Sequence, residues 1–289
     1  MGSLREIKKR IVSVKNTQQI TRAMRMVAAA KLRRAQESIQ ALRPYAYKIR
    51  DVITHLTAVV PSEDHPLLAQ REPKRVVLLV ITSDRGLCGA FNANINRRTE
   101  SYVAENEAGH QDIQLAIIGR KGQEYFRRRS LPVLHEYREI LTHPTFENAR
   151  TIADELIESF TSQSLDAVYI LYNEFKSAIA QQVVVEQLLP MPLPKPEETK
   201  AHEEITEFIY EPGKQELLDG ILPLNVEIQV YRAILESLAS EMGARMTAME
   251  SATNNAKELI KSLTLEYNKA RQAAITTELI EIISGAEAL

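Results

Sequence analysis

Between Met242 and Ala274 the positions Met242, Met246, Met249, Thr253, Ala256, Ile260, Leu263, Tyr267, Ala270 and Ala274 recur at alternating steps of four and three. A mean step of 3.5 residues places these side chains along one face of a helix and demands a second helix with the same repeat. The stretch that carries them, residues 224–289, has no proline and has glycine only at Gly243 and Gly285. The first sixty residues share this character. Leu4, Ile7, Ile11 and Val14 form one stripe, which continues less cleanly through Ile20, Met24, Val27 and Ala28 and resumes at Leu32, Ala35, Ile39 and Leu42. Ser3, with Glu6 three residues on, predicts a capping box at the start. Pro44 predicts a kink, because it lacks an N–H and crowds the preceding turn. Uninterrupted, residues 4–56 would extend about 80 Å at about 1.5 Å per residue. Each helix would leave its stripe exposed unless the other covered it. The chain between them must leave and return at one end, so the pair is antiparallel.

The intervening pattern is different. Pro61, Pro66 and Pro73 mark a linker, and Val76–Ile81 is a continuous apolar, β-branched run that predicts a strand buried on both faces. A helix is expected over 94–106, a strand over 113–118, a short helix over 121–129 and a weaker strand within 131–137. An amphipathic helix over 148–160 follows, with Ile152, Leu156, Ile157 and Phe160 inward. Strands over 167–172 and 179–188 are close enough to pair as a hairpin. Pro190, Pro192, Pro194 and Pro196 end this run; Ile205–Tyr210 reads as an edge strand, and Pro212-Gly213 breaks the chain before a last helix that starts near Leu217 or Leu224. Strands alternating with helices predict a small Rossmann-like α/β domain. The expected organisation is therefore α/β with a long antiparallel coiled coil: residues 1–59 and 217–289 as the paired terminal helices, and 74–211 as the central domain.

Charge sharpens this picture. The 289-residue chain has a net charge of only −2, yet residues 1–59 hold 13 Lys and Arg against 3 Asp and Glu, about +10, which leaves the remainder near −12. An amino-terminal helix so one-sided predicts an acidic or phosphate-bearing partner. Its cations Lys8, Lys9, Arg10, Lys15, Arg22, Arg25, Lys31, Arg33 and Arg34 surround the helix, and no aromatic residue precedes Tyr45. A helix that reads a nucleic-acid groove presents its contacts on one side, and single strands need stacking platforms. The belt therefore suits a rod enclosed by acidic protein surface better than one lying on a duplex, and nucleic acid is not an expected partner. No run approaches the roughly 18 apolar residues of a membrane span.

Candidates for chemistry are few. Thr82–Asn92 sits after a strand and before a helix, where a phosphate loop would lie, but its two glycines, Gly86 and Gly89, lack the spacing and the Lys-Ser/Thr such a loop requires. It reads as a tight turn enabled by those glycines, with Asp84 and Arg85 open to a partner or to each other. Cys88, the sole cysteine, excludes an internal disulfide and reads as a buried small side chain, since no histidine is near it in sequence. The six histidines, His202 among them, show no metal-ligand spacing. No catalysis, cofactor or small-molecule substrate is expected of the chain alone. Near the carboxy terminus, Asn268, Arg271, Gln272, Thr276 and Thr277 interleave polar groups with alanines, and the small apolar run 284–289 suggests an enclosed tip.

Three ordered motifs carry a resemblance over essentially the whole chain: Ile20-Thr21-Arg22-Ala23-Met24-Arg25-Met26-Val27-Ala28, Thr82–Asn92, and Tyr267-Asn268-Lys269-Ala270-Arg271-Gln272-Ala273-Ala274-Ile275-Thr276 followed by Glu278-Leu279, Glu281-Ile282 and Gly285-Ala286. The chain resembles the gamma subunits, the central rotor shafts, of bacterial F-type ATP synthases. The resemblance implies a coiled coil inside a ring of three alpha and three beta subunits, with the α/β domain against the epsilon subunit and the membrane ring of c subunits. It implies that proton flow turns the shaft, which drives the beta sites through their states and helps regulate ATPase activity and proton flow. By the same likeness Met24 and Arg245 face beta, Arg271, Gln272 and Thr276 meet a beta loop, Arg22 and Arg25 face beta's acidic lever, and the turn from Arg85 to Gly89 joins that surface. With Cys88 alone, chloroplast-type thiol control is not expected. The absence of a transit peptide before Met1 points to a bacterium, with the protein peripheral on the cytoplasmic side of the inner membrane.

Overall fold

The structure, a computed structural model, describes residues 4–59, 65–106, 109–129, 131–192 and 213–287. The expected cap at Ser3, Pro61, Pro194, Pro196, His202, Pro212 and the strand over 205–210 lie outside the described residues. Among the described residues ten elements follow one another: α1 (Leu4–Val59), β1 (Arg75–Ile81), α2 (Phe91–Asn106), β2 (Asp112–Ile118), α3 (Arg120–Phe126), β3 (Val133–Tyr137), α4 (Phe146–Thr161), β4 (Ala167–Phe175), β5 (Gln181–Leu189) and α5 (Lys214–Glu287). The chain divides into two compact units, one formed by residues 1–29 with 245–289 and the other by 30–244. Pro44 does not end α1, which runs unbroken across it. The last helix starts at Lys214, earlier than either expected position, and takes Pro223 inside it.

The larger unit is built on a five-stranded sheet of order β3-β2-β1-β4-β5. The first four strands are parallel and β5 returns antiparallel to β4, the expected hairpin. β1 sits at the centre because every residue after Arg75 is apolar and buried, so it can be covered on both faces. One face packs Val76, Leu78 and Val80 with Ile95 and Tyr102 of α2 and Phe126 of α3. The other packs Val77, Leu79 and Ile81 with Ile152, Leu156 and Phe160 of α4. That second layer also contains Leu32, Ala35, Ile39, Ile53 and Leu56 of α1, and Leu218, Leu222, Val226, Val230 and Ile234 of α5. Parts of both long helices are thus core elements of the α/β unit, which the sequence pattern assigned to helix pairing alone. The amino end of β1 is fixed by Asp166, whose carboxylate accepts from Arg75 N at 2.8 Å and from its Nη2 at 2.8 Å.

In the smaller unit α1 and α5 are antiparallel. Thr21 Oγ1 lies 2.8 Å from Thr253 Oγ1, and Arg25 Nη1 donates to Glu250 Oε1 at 3.1 Å, so advancing four residues on one helix retreats three on the other. The nine expected seam positions of α5 in this unit, Met246 to Ala274, are buried or half-buried, whereas Met242 is buried in the sheet core of the larger unit. On α1 the seam is Leu4, Ile7, Ile11, Val14, Gln18, Thr21, Met24 and Ala28. Ile20 and Val27 do not belong to it; they are 60% and 57% exposed. The step of three and four is kept by the polar Gln18 and Thr21, which is why the apolar stripe looked broken there.

Two stability tests follow. The Arg75 guanidinium holds the Asp166 carboxyl below the usual carboxylate range, against an opposing contribution from burial. A carboxyl whose pKa is lowered by folding adds stability that is complete above its unfolded value and fades as pH falls through its folded value. Asp166→Asn should cost about 1–2 kcal/mol at neutral pH, and its melting curve should converge on the parent's in acid below the carboxylate range. At the seam, Thr21→Val alone removes the Thr253 hydroxyl's partner across the seam and leaves it only the Met249 carbonyl at 2.7 Å, which should cost about 1 kcal/mol, whereas Thr21→Val with Thr253→Val should recover part of it. Thermal melting of the four proteins of that cycle measures the coupling, and additive losses would show that the two hydroxyls act independently.

Candidate functional site

The surface that the sequence marks for partners falls along the smaller unit and the adjoining turns of α1. Lys8, Lys9, Arg10, Lys15, Arg22, Lys31, Arg33 and Arg34 are all exposed. Arg33 bonds Glu37 at 2.9 Å and Arg25 bonds Glu250 at 3.1 Å. The other cations of the belt have no acidic side chain within ion-pairing distance among the described residues. Exposed like-charged groups at helical spacing repel one another, so this belt lowers its energy by meeting negative charge from outside. Gln18, Gln19, Arg22, Arg25, Glu250, Thr253 and Asn254 line a shallow cleft of about 440 Å³ where the seam turns polar. The cleft places Arg22 and Arg25, which the sequence paired only by adjacency, beside acceptors from α5. Met24 is half-buried and shares its side chain between seam and surface.

At the far end of α5, Arg271, Gln272 and Thr276 are exposed, and Thr276 Oγ1 donates back to Gln272 O at 2.9 Å. The seam ends at Ala274. Beyond it Ile275, Leu279, Ile280, Ile282 and Ile283 are exposed, with Ile282 at 67%. Within this chain the tip has no cover among the described residues, since Ser284 and Ala286 are exposed too, so the expected enclosure would come from a partner. This apolar group is the feature that reading the sequence missed. Its signal was the run of large aliphatic residues past the last seam position. A cluster of that kind marks an interaction site rather than a helix end in water.

Two other expected contact residues have contrasting surroundings. Arg245 is buried at 9% exposure, so it cannot offer its guanidinium outward as Arg22 does. Arg85 is exposed, in the turn after β1. That turn uses its glycines differently from expectation. The left-handed positions are Leu87 at φ 63° and Gly89 at φ 58°, with Gly86 elsewhere. A leucine held there is strained by about 1–3 kcal/mol, which surrounding contacts must offset. They include Asp84, whose carboxylate accepts from Arg120 N at 3.1 Å, and Asn92, which accepts from Ser83 N at 3.0 Å and donates to Ser83 Oγ at 2.7 Å. Cys88 is buried beside Asn92, with Sγ 3.3 Å from its Nδ2. No group of histidine, cysteine or carboxylate residues among the described residues is arranged to hold a metal ion. None of the described helices is long and apolar enough to cross a membrane.

The comparisons with known proteins cover the whole of this arrangement. A family model described as ATP synthase matches residues 3–289. The chain is 51% identical over 289 residues to an ATP synthase gamma chain of Geobacter metallireducens, covering all of this chain and 99% of the relative. It is 52% identical over 292 residues to an ATP synthase gamma chain of an Anaeromyxobacter species, with both chains fully covered. Among solved structures, a chain of the central stalk and c-ring of the Tetrahymena thermophila mitochondrial ATP synthase is 27% identical, with a TM-score of 0.61 over 81% of this chain and 99% of that one. A chain of the Euglena gracilis mitochondrial ATP synthase, 22% identical with a TM-score of 0.65 over 99% of this chain and 94% of that one, shares the fold.

Proposed function

Because the chain belongs to the gamma-chain family of ATP synthase, we propose that it is the rotor element that couples ion flow through a membrane ring to nucleotide chemistry at other subunits. The smaller unit is the part that turns within a ring of alpha and beta subunits. The α/β unit joins the epsilon subunit and the c-ring. Protons moving through the c-ring rotate the chain, and the asymmetric rotor forces the beta sites through successive states; ATP hydrolysis drives the reverse. The chain also helps regulate ATPase activity and proton flow, and its own residues carry out no bond-making step. It sits peripherally on the cytoplasmic side of a bacterial membrane, held there by the complex.

The observation that carries this reading is the pairing of a cation belt short of acidic partners with an open apolar helix end on one coiled coil. Exposed charge gives orientation and speed of encounter more than tight binding. A rotor needs that balance, because torque arises from differences in affinity between partner states and disappears if one state binds irreversibly. The open end supplies the apolar contact that keeps the axis centred. Arg22, Arg25, Met24 and Arg85 face beta in this reading, and Arg271, Gln272 and Thr276 meet a beta loop. Arg245, being buried, acts through its neighbours.

The test uses Arg271→Ala with Gln272→Ala in the assembled complex. Both side chains are exposed, so melting of the isolated chain should not change. Loss of charge-assisted bonds at an interface should weaken assembly with alpha and beta subunits about ten-fold, or lower proton-driven ATP synthesis in membrane vesicles correspondingly. Assembly and synthesis both equal to the parent's would refute the assigned contact.

A further inference from the structure

The sheet topology predicts a ligand site that the protein has put to another use. The helix after β1 packs on one face and α4, which leads into β4, packs on the other, so the chain reverses its winding between β1 and β4. In sheets of this kind ligands bind in the crevice outside the carboxyl ends of the strands, at that switch point. Here the crevice is filled by α5. Pairing of β1 with β4 ends at Val80 and Leu171. Past that point α5 replaces β1 as the hydrogen-bonding neighbour of β4. Asn173 N donates to Ser237 Oγ at 3.2 Å, Ser240 Oγ donates to Asn173 O at 2.9 Å, and Phe175 N donates to Glu236 Oε2 at 2.9 Å.

The helix is held from several sides. Every residue from Ser237 to Gly243 is buried, unlike the one-sided burial of a surface helix. A methyl group at Gly243 would lie 3.2 Å from the Cα and O of Ala178, in the turn between β4 and β5. Opposite, the turn after β1 brings Gly89 to the Ala244 carbonyl, with a Cβ there at 3.9 Å. One helical turn before Glu236, Arg232 pairs with Glu186 of β5, which also accepts from Tyr172 Oη at 2.9 Å. Side-chain bonds to strand backbone fix the rotational angle of a helix, because a turn of the helix about its axis would break all of them together. Apolar packing alone tolerates small rotations.

We propose that this crevice is a socket that keys α5 to the sheet, with Glu236, Ser237 and Ser240 as positioning residues, and that it is the joint through which load passes between the α/β unit and α5. The proposal rests on the rotor reading above. It deepens that reading by naming where torque enters the helix.

The experiment uses the complex assembled with alpha and beta subunits. A particle is fixed to the α/β unit, and its angular fluctuation is recorded while hydrolysis is stopped. Glu236→Ala with Ser237→Ala should broaden the angular distribution, and hydrogen exchange at the Asn173 and Phe175 amides should quicken roughly five-fold. Glu236→Gln, which keeps an oxygen acceptor for Phe175, should stay near the parent in both measurements. If the double variant fails to fold, Glu236→Ala alone serves, since that side chain is only half-buried. Faster exchange with an unchanged angular width would overturn the socket as the load path, and unchanged exchange would overturn the contacts themselves. Failure of the parent complex to rotate during ATP hydrolysis would instead defeat the rotor reading, so the two failures are separable.

Discussion

A helix of 74 residues depends on what its sides touch, since backbone hydrogen bonds alone leave isolated helices marginal in water. α5 meets this constraint with a different solution in each stretch. Its first third lies in the core of a sheet unit, where Leu218, Leu222, Val226 and Val230 are buried. From Met242 to Ala274 a step of three and four suits it to a single partner helix. Past Ala274 its apolar residues have no cover among the described residues. The changes of environment happen without a break in the helix, so sequence must carry each change through side-chain size and polarity. Ser237, Ser240 and Gly243 mark the first of them: small or hydroxylated residues where the helix is surrounded.

Where one physical rule dominated, the sequence was readable. The apolar run of β1 could only be a strand covered on both faces, and the seam of α5 follows a single repeat to its last residue. The seam of α1 was harder, because Thr21 and Gln18 occupy it while Ile20 and Val27 lie outside. An apolar count favours the wrong face in that case; the regular step is the better guide. The contribution of residues 32–56 to the sheet core was hidden for another reason. A stripe such as Leu32, Ala35, Ile39 and Leu42 serves helix pairing and helix-on-sheet packing equally, and only the tertiary partner distinguishes them.

The candidate surface was partly legible by the same logic. Residues 1–59, with 13 basic residues against 3 acidic ones, cannot be neutralised within their own helix, so the exposure of the belt could be anticipated. The burial of Arg245 could not, because a lone arginine beside an apolar seam has no local sequence mark that separates a surface residue from a buried one. Likewise, nothing in the letters of Leu87 announces a left-handed backbone. That conformation is imposed by the ties from Asp84 and Asn92 around it.

The aliphatic side chains of Ile275, Leu279, Ile280, Ile282 and Ile283 also bear on the life of the protein before it is assembled. A newly made copy carries an adhesive end for as long as it is alone. Surplus copies would meet one another, or chaperones and proteases, through that end. Cells that make this chain therefore have reason to match its supply to that of the subunits that receive it, and to make them close together in time and place. An apolar end that waits for a partner is in this sense also a timer on the unassembled chain.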